Sequence, residues 1–213
     1  MIDSFISRSA CNSYILYNES KQAILIDPGY NVNNCLIDHI HKLGVDILAV
    51  LITHGHFDHI DALEDVIKEF PKAVTYMSED ELDVVVNPKL NISFFREDGS
   101  TKILEYLPKH YVLLGDYETI EVAGFKIQMI KTPFHTVCSA CYYVESEKAL
   151  FSGDTLFYTT IGRTDLPTGS TRPMESSLKK LIALPDDVKV YPGHGVITRL
   201  EREKKYNSHL RNI

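Results

Sequence analysis

The chain has 213 residues, of which 44% are hydrophobic and 24% are charged, and its net charge is −7 at neutral pH. This balance is typical of a soluble globular protein, and it excludes disordered, collagenous and coiled-coil chains. The acidic charge also argues against binding to the phosphate backbone of nucleic acids, which needs clustered lysine and arginine side chains.

The N-terminal residues and the cysteines indicate the cellular compartment. Polar residues interrupt every apolar run of MIDSFISRSACNSYILYN, so this segment lacks the hydrophobic centre of a secretion signal. No stretch approaches the roughly 18 consecutive apolar residues of a membrane span. The four cysteines are too few and too irregularly spaced for a disulfide framework. We therefore expect a cytoplasmic protein with free thiols and no membrane contact.

The first quarter of the chain predicts alternating strands and helices. Two apolar runs, Ser13 to Leu16 and Ala23 to Ile26, flank a turn-like segment and predict a β-hairpin. Residues 33–43 carry apolar side chains at helical spacing, and Gly44 is a suitable C-terminal stop. The nearly continuous apolar run over residues 46–53 predicts a strand that is buried on both faces.

The rest of the chain continues the alternation. Further strands are expected over residues 73–77, 118–124, 125–132, 139–145, 148–154 and 188–191, and helices over 61–70, 78–86, 173–184 and 199–210. Residues 87–106 are expected to form an irregular insertion. Since no low-complexity linker separates the two β-rich halves, we expect one domain over residues 1–213, in which two sheets pack together with helices on their outer faces.

A dense cluster of metal-binding side chains follows the strand predicted over residues 46–53. His54, His56, Asp58 and His59 lie in the run T-H-G-H-F-D-H, and imidazole and carboxylate groups are ligands that Zn²⁺ accepts. Without a cation, these four donors would be an uncompensated polar burial. His54 and His56 project to one side of the loop, while the other two donors can face a second position. This spacing suggests two metal ions.

Three further candidate ligands each follow an apolar strand. His135 follows FKIQMIKTPF, Asp154 ends KALFSGD, and His194 ends VKVYPGH. Ligands at the ends of separate strands can converge at one edge of a sheet, and an aspartate between two metal ions can bridge them. The remaining histidines are interpreted as ordinary surface or capping residues; they are His39, His41, His110 and His209.

These motifs resemble the metallo-β-lactamase superfamily. T-H-G-H-F-D-H matches its H-x-H-x-D-H signature. The runs FSGDTLF, IGRTDLPTGS, YPGHG and EREKKYN are similar to a glyoxalase II-like (hydroxyacylglutathione hydrolase-like) branch of small hydrolases that lacks a C-terminal helical domain. The resemblance implies an α/β fold, the four-layer αβ/βα sandwich with two mixed sheets and outer helices. It also implies a binuclear site with His54, His56 and His135 on metal one, Asp58, His59 and His194 on metal two, and Asp154 bridging them.

The resemblance further implies a metal-dependent hydrolase of an acyl thioester such as S-lactoylglutathione, a small-molecule substrate. Two divalent ions, zinc in the first place with iron or manganese as alternatives, would share a bridging hydroxide. Asp58 would also orient this hydroxide, Arg163 would bind a substrate carboxylate, and Asp27 would orient a ligand. Many β-lactamases of the fold have cysteine at the position of Asp154, so we do not expect antibiotic hydrolysis.

Other functions remain open. A persulfide dioxygenase of the same fold would use a single iron, held by His54, Asp154 and either His56 or His135. A non-catalytic metal-binding module would need no substrate, although every expected ligand is intact. Cleavage of RNA, known for relatives of the fold, is disfavoured by the acidic charge. The sequence leaves the oligomeric state undetermined.

Individual residues also have two interpretations. Asp27 lies in Asp-Pro-Gly and is equally interpreted as a turn former, and Arg163 as an ion-pair partner of Asp165. Around the third histidine, F-H-T-V-C-S replaces the usual G-H-T-P-G-S of the family. Cys138 and Cys141 form a C-x-x-C pair, which we interpret as core packing in an apolar strand rather than a redox or zinc site.

Overall fold

The structure is a computed structural model, and it describes residues 1–6, 11–95, 101, 110–211 and 213. The strands are β1 (Ile2–Ile6), β2 (Asn12–Tyr17), β3 (Gln22–Ile26), β4 (Asp46–Leu51), β5 (Val74–Ser78), β6 (Tyr111–Leu114), β7 (Thr119–Val122), β8 (Phe125–Lys131), β9 (Ala140–Val144), β10 (Ala149–Gly153), β11 (Lys189–Pro192) and β12 (Thr198–Arg199). The helices are α1 (Cys35–Leu43), α2 (Phe57–Ile60), α3 (Leu63–Glu69), α4 (Leu82–Val85), α5 (Met174–Ile182) and α6 (Leu200–Tyr206). Short 3₁₀ turns cover Val32–Asn34, Ser93–Phe95 and Glu145–Glu147.

The strands form two six-stranded sheets. The first has the order β1-β2-β3-β4-β5-β6 and the second has the order β12-β11-β10-β9-β8-β7. In the first sheet β1, β2 and β3 pair antiparallel, whereas β3 to β6 pair parallel. In the second sheet β10 and β11 pair parallel, and the other pairs among the described residues are antiparallel. Both sheets are therefore mixed, as predicted.

Three hydrophobic cores separate the layers, because successive side chains of a strand point to opposite faces of its sheet. Ile24 of β3 faces the second sheet and belongs to the same core as Phe151 of β10. Its neighbour Leu25 faces the other way, into the core shared with α1 and α3. On the outer face of the second sheet, Leu150 packs with Leu181 of α5. The layers are helices, sheet, sheet and helices, which confirms the predicted αβ/βα sandwich.

The structure departs from the sequence prediction in several elements. The hairpin of β2 and β3 is confirmed. The helix predicted over residues 61–70 is the shorter α3, and the separate one-turn helix α2 precedes it, outside the predicted range. Because α2 begins at Phe57, Asp58 and His59 are themselves helical. The short strands β1, β6 and β12 lie at sheet edges and are missing from the prediction. Most of their side chains are exposed or half-buried, so they carry no strong apolar pattern.

Boundaries also differ. The helices predicted over residues 78–86, 173–184 and 199–210 are the shorter α4, α5 and α6. The insertion expected over residues 87–106 contains the 3₁₀ turn Ser93–Phe95, while residues 96–100 and 102–106 lie outside the described part of the chain. Within the described residues, no helix has the length and apolar character needed to cross a membrane.

One edge of the sandwich brings the loops of both sheets into close contact. Gly153, the last residue of β10, has φ +48°, and a Cβ there would lie 2.3 Å from Thr53 Oγ1, in the loop that follows β4 of the first sheet. Glycine is therefore required at this position for both backbone and spatial reasons. The close approach places the residue after Gly153 beside the loop that follows β4.

Candidate metal centre

The seven predicted metal ligands converge at this edge. They lie after β4 (His54, His56), in α2 (Asp58, His59), after β8 (His135), after β10 (Asp154) and after β11 (His194). Their donor atoms form three groups, each within 4.8 Å: His54 with His56 and His135, His54 with His59 and Asp154, and Asp58 with His59 and His194. The sets His54–His56–His135 and Asp58–His59–His194 are those expected for metal one and metal two, and we call them the first and second ligand groups.

Short distances define the first ligand group and the position of Asp154. In the first group, His56 Nδ1 lies 3.1 Å from His54 Nε2 and 3.0 Å from His135 Nε2. Asp154 lies between the groups, with Oδ2 3.4 Å from His135 Nε2 and 3.7 Å from His194 Nε2. Its other oxygen, Oδ1, lies 3.3 Å from His59 Nε2. Asp154 therefore faces both groups.

Contacts behind the centre orient the imidazole rings. His135 Nδ1 donates a 2.8 Å hydrogen bond to the Arg163 carbonyl oxygen, and His59 Nδ1 donates one of 2.9 Å to Asp27 Oδ2. His54 Nδ1 lies 3.2 Å from Thr53 Oγ1. Each of these contacts uses the Nδ1 atom, so the Nε2 atom is left to face the centre. Such contacts fix the ring orientation of metal-binding histidines.

Asp27 contacts both a candidate ligand and the loop that carries the histidines. The backbone N–H of Thr53 donates to Asp27 Oδ1 at 2.8 Å, and the Thr53 hydroxyl donates to Oδ2 at 2.7 Å. Together with the bond from His59, the buried carboxylate accepts three hydrogen bonds. Asp27 also has φ +50°, which is compatible with a turn. Sequence reasoning missed Thr53, although its position directly before the first histidine of the motif was a usable signal.

The structure places Arg163 at the centre through its backbone rather than its side chain. Its carbonyl orients His135, as described above. Its guanidinium is exposed and forms two hydrogen bonds to Asp165, with Nε 2.6 Å from Oδ1 and the second nitrogen 2.7 Å from Oδ2. The ion pair that the sequence offered as an alternative is thus present. The binding of a substrate carboxylate by Arg163 stays a prediction.

The surroundings of the first ligand group favour neutral imidazoles. Burial, reinforced by the neighbouring histidines, lowers the pKa of His54 well below its usual value and that of His56 to about 3. Burial also lowers the pKa of His135. Neutral imidazoles are the form that binds metal ions.

The second ligand group attracts positive charge. Burial opposes the charged form of His59, but the neighbouring carboxylates Asp154 and Asp27 outweigh it and raise the pKa of this histidine well above its usual value. At His194, contact with Asp58 and the charge of Asp154 also outweigh burial and raise the pKa. The negative charge of these carboxylates favours a bound metal cation as well as a proton.

Buried polar atoms test whether the residues fit a metal ion. His59 Nε2 and Asp154 Oδ1 are both buried and have no hydrogen-bond partner among the described residues, although they lie close together. Each is a donor atom on the side of the ring or carboxylate that faces the centre. Metal coordination would satisfy both atoms, and borderline divalent ions accept this combination of imidazole and carboxylate ligands. The residues therefore fit bound divalent ions.

A four-layer sandwich with histidines and aspartates converging at one edge defines a metal-dependent hydrolase scaffold. Residues 6–194 match the family model of the metallo-beta-lactamase superfamily, and the chain belongs to this superfamily.

Individual relatives agree with this assignment. The chain is 33% identical over 198 residues to a probable metallo-hydrolase of Streptococcus pyogenes, and the match covers 92% of this chain and 84% of that protein. It is 32% identical over 200 residues to the hydroxyacylglutathione hydrolase GloC of Haemophilus influenzae, and this match covers 93% of this chain and 92% of that protein. The crystal structure of the B3 metallo-beta-lactamase BLEG-1 superimposes with a TM-score of 0.91 at 33% identity, over 99% of both chains. The protein is a metallo-hydrolase of this superfamily.

Proposed function

We propose that the protein hydrolyses acyl thioesters of small thiols, such as S-lactoylglutathione, and that it uses two divalent metal ions. The position of Asp154 carries the proposal. One carboxylate oxygen lies 3.3 Å from His59 and the other lies 3.4 Å from His135, so a single side chain faces both ligand groups. A shared carboxylate is suited to a two-ion site. The similarity to a hydroxyacylglutathione hydrolase supports a thioester as the substrate.

The chemistry of the proposal divides between the ions and the protein. Bound ions, with zinc as the first candidate and iron or manganese as alternatives, supply Lewis acidity at the acyl carbonyl and lower the pKa of a water to near 7. Asp58 stays ionised, because His59 and His194 outweigh burial and hold its pKa well below the usual range. Its carboxylate can orient the attacking water by accepting a hydrogen bond. Water adds to the acyl carbon, the carbon–sulfur bond breaks, and a carboxylic acid and a thiol are released.

The experiment combines metal analysis with a substrate panel. Purified protein should contain two divalent ions per chain and should release thiol from S-lactoylglutathione. Chelation should abolish this activity, and added Zn²⁺ should restore it. One iron per chain with oxygen uptake on glutathione persulfide would overturn the proposal in favour of the dioxygenase. Faster cleavage of a β-lactam than of any thioester would also overturn it, and metal-replete protein that cleaves no thioester would indicate a non-catalytic module.

The proposal includes a small-molecule substrate, no nucleic-acid or membrane partner and a cytoplasmic location. It also gives Arg163 a role in substrate binding. Since Arg163 and Asp165 are both exposed, the guanidinium is available to exchange its partner for a substrate carboxylate. A forked guanidinium recognises carboxylates through paired hydrogen bonds.

Arg163→Ala is expected to raise KM about tenfold for thioesters whose thiol carries a carboxylate, with kcat nearly unchanged, since one exposed charge-assisted contact is lost. Steady-state kinetics on S-lactoylglutathione and on a thioester of an uncharged thiol measure the effect. Lys179→Ala is the matched control, because Lys179 forms an equally exposed ion pair with Glu175 on α5. An unchanged KM for the carboxylate-bearing substrate would remove Arg163 from the substrate site.

A further inference from the structure

A fully buried glutamate lies next to the loop that carries the first two histidines. Glu81 directly precedes α4 and has no exposed surface. Neither of its carboxyl oxygens has a hydrogen-bond partner of ordinary geometry among the described residues. A buried carboxyl in this state is unfavourable for folding. Its presence therefore calls for a compensating role in the molecule.

The Glu81 carboxyl lies against the backbone of Gly55, the residue between His54 and His56. A Cβ on Gly55 would lie 2.3 Å from Glu81 Oε1 and 2.9 Å from Val85 Cγ1. The carboxyl therefore occupies the space in which any other residue at position 55 would place its side chain. Glu81 and Gly55 are complementary in shape, and their contact supports the turn that directs both histidines to the centre.

The same carboxyl lies close enough to Cys138, in the loop that carries the third histidine of this group, for the two side chains to interact electrostatically. Cys138, three residues after His135, is fully buried, and burial together with Glu81 raises the pKa of its thiol well above the usual value. The thiol therefore remains protonated. Burial raises the pKa of Glu81 to about 7, although the Cys138 thiol and the Gly55 backbone N–H oppose this shift. Cys138 precedes β9 and is not in a strand, contrary to the sequence interpretation, whereas Cys141 is a buried strand residue as expected.

We propose that Glu81 is a positioning residue for the first metal position, which it supports by holding the Gly55 and Cys138 loops at a fixed separation. Its carboxyl forms no hydrogen bond to a candidate ligand among the described residues, so it acts on His54, His56 and His135 through these two neighbours. The inference rests on the proposed metal centre. Residues behind a metal site commonly change metal affinity by 10–100-fold, and we expect an effect of about this size here.

Titration of metal-free protein with Co²⁺, followed by visible absorbance, tests the inference. Glu81→Ala should weaken one of the two Co²⁺ sites by about 10–100-fold and change its spectrum. Glu81→Gln fills the same space and should restore both affinity and spectrum. Thr75→Val is the matched control, because Thr75 is also fully buried with an unpartnered side-chain oxygen, and it should bind Co²⁺ as the wild type does.

The link between the two loops is tested by Cys138→Val. This variant should weaken the same Co²⁺ site, and the Glu81→Ala/Cys138→Val double variant should be no weaker than Glu81→Ala, since both changes remove one contact. Additive losses would contradict the link. Glu81→Ala protein that binds both ions as tightly as the wild type would overturn the positioning role, even if its free energy of unfolding fell.

Loss of Co²⁺ binding must be distinguished from loss of folding. Circular dichroism of the metal-free variants shows whether each is folded, and Glu81→Leu, which retains side-chain volume, replaces Glu81→Ala if that variant does not fold. Co²⁺ affinity requires no substrate. A failure of the wild type to cleave thioesters would therefore contradict the proposed function without affecting this inference, whereas wild-type protein that binds no Co²⁺ would contradict both.

Discussion

Asp154→Asn is expected to lower the rate of thioester hydrolysis by more than about 100-fold and to reduce the metal content below two ions per chain. Changes behind a metal site already cost 10–100-fold, and Asp154 faces both ligand groups directly. Asparagine keeps the volume of the side chain but loses its charge and one of its two acceptor oxygens. Initial rates with S-lactoylglutathione and elemental analysis of the same preparation measure the two effects.

Asp165→Asn is the matched control for Asp154→Asn, because Asp165 is an exposed acid that lies outside the ligand groups. It should retain both metal ions. If Asp154→Asn kept two ions and hydrolysed thioesters at the wild-type rate, Asp154 would have no bridging role and the proposal of a shared carboxylate would fail.

Asp27→Asn is expected to weaken metal binding by about 10–100-fold and to lower the free energy of unfolding by about 2–3 kcal/mol. The carboxylate accepts bonds from the backbone and hydroxyl of Thr53 and from His59. An asparagine offers only one acceptor oxygen, and its amide hydrogens meet donors, so at least one buried donor loses its partner. Urea denaturation of the metal-free protein and competition with a chelator give the two values.

The same variant separates the two interpretations of Asp27. Asparagine adopts positive φ as readily as aspartate does, so the turn at φ +50° should remain intact. If Asp27 only formed the turn, Asp27→Asn would leave both metal affinity and stability unchanged. A loss confined to stability would show that the bond to His59 has no effect on the metal centre.

Much of the fold follows from local sequence patterns. The continuous apolar run of β4 predicts a strand buried on both faces, and its side chains do contribute to two different cores. Gly44 ends α1 in the left-handed conformation that such a stop requires. The edge strands β1, β6 and β12 depend on pairing with a distant neighbour, so their own side chains give little indication of them.

Most of the candidate site also follows from the sequence, as the fold does. The histidine motif and the strand ends predicted all seven converging side chains, because ligands after parallel or neighbouring strands meet at one edge. Glu81 and Cys138 were not assigned to the site, since their proximity to the metal loops depends on packing between elements far apart in the sequence. The backbone contact of Arg163 with His135 is likewise independent of side-chain identity, so no residue pattern could indicate it.

The division of the ligands between the two sheets has a consequence for the stability of the whole molecule. Each sheet is formed by one continuous part of the chain, β1 to β6 and then β7 to β12. His54, His56, Asp58 and His59 belong to the first part, whereas His135, Asp154 and His194 belong to the second. Ions bound by residues of both parts would therefore act as reversible cross-links between the two halves. Their contribution to folding grows with the logarithm of the free metal concentration, so metal supply would set how firmly the halves are held together.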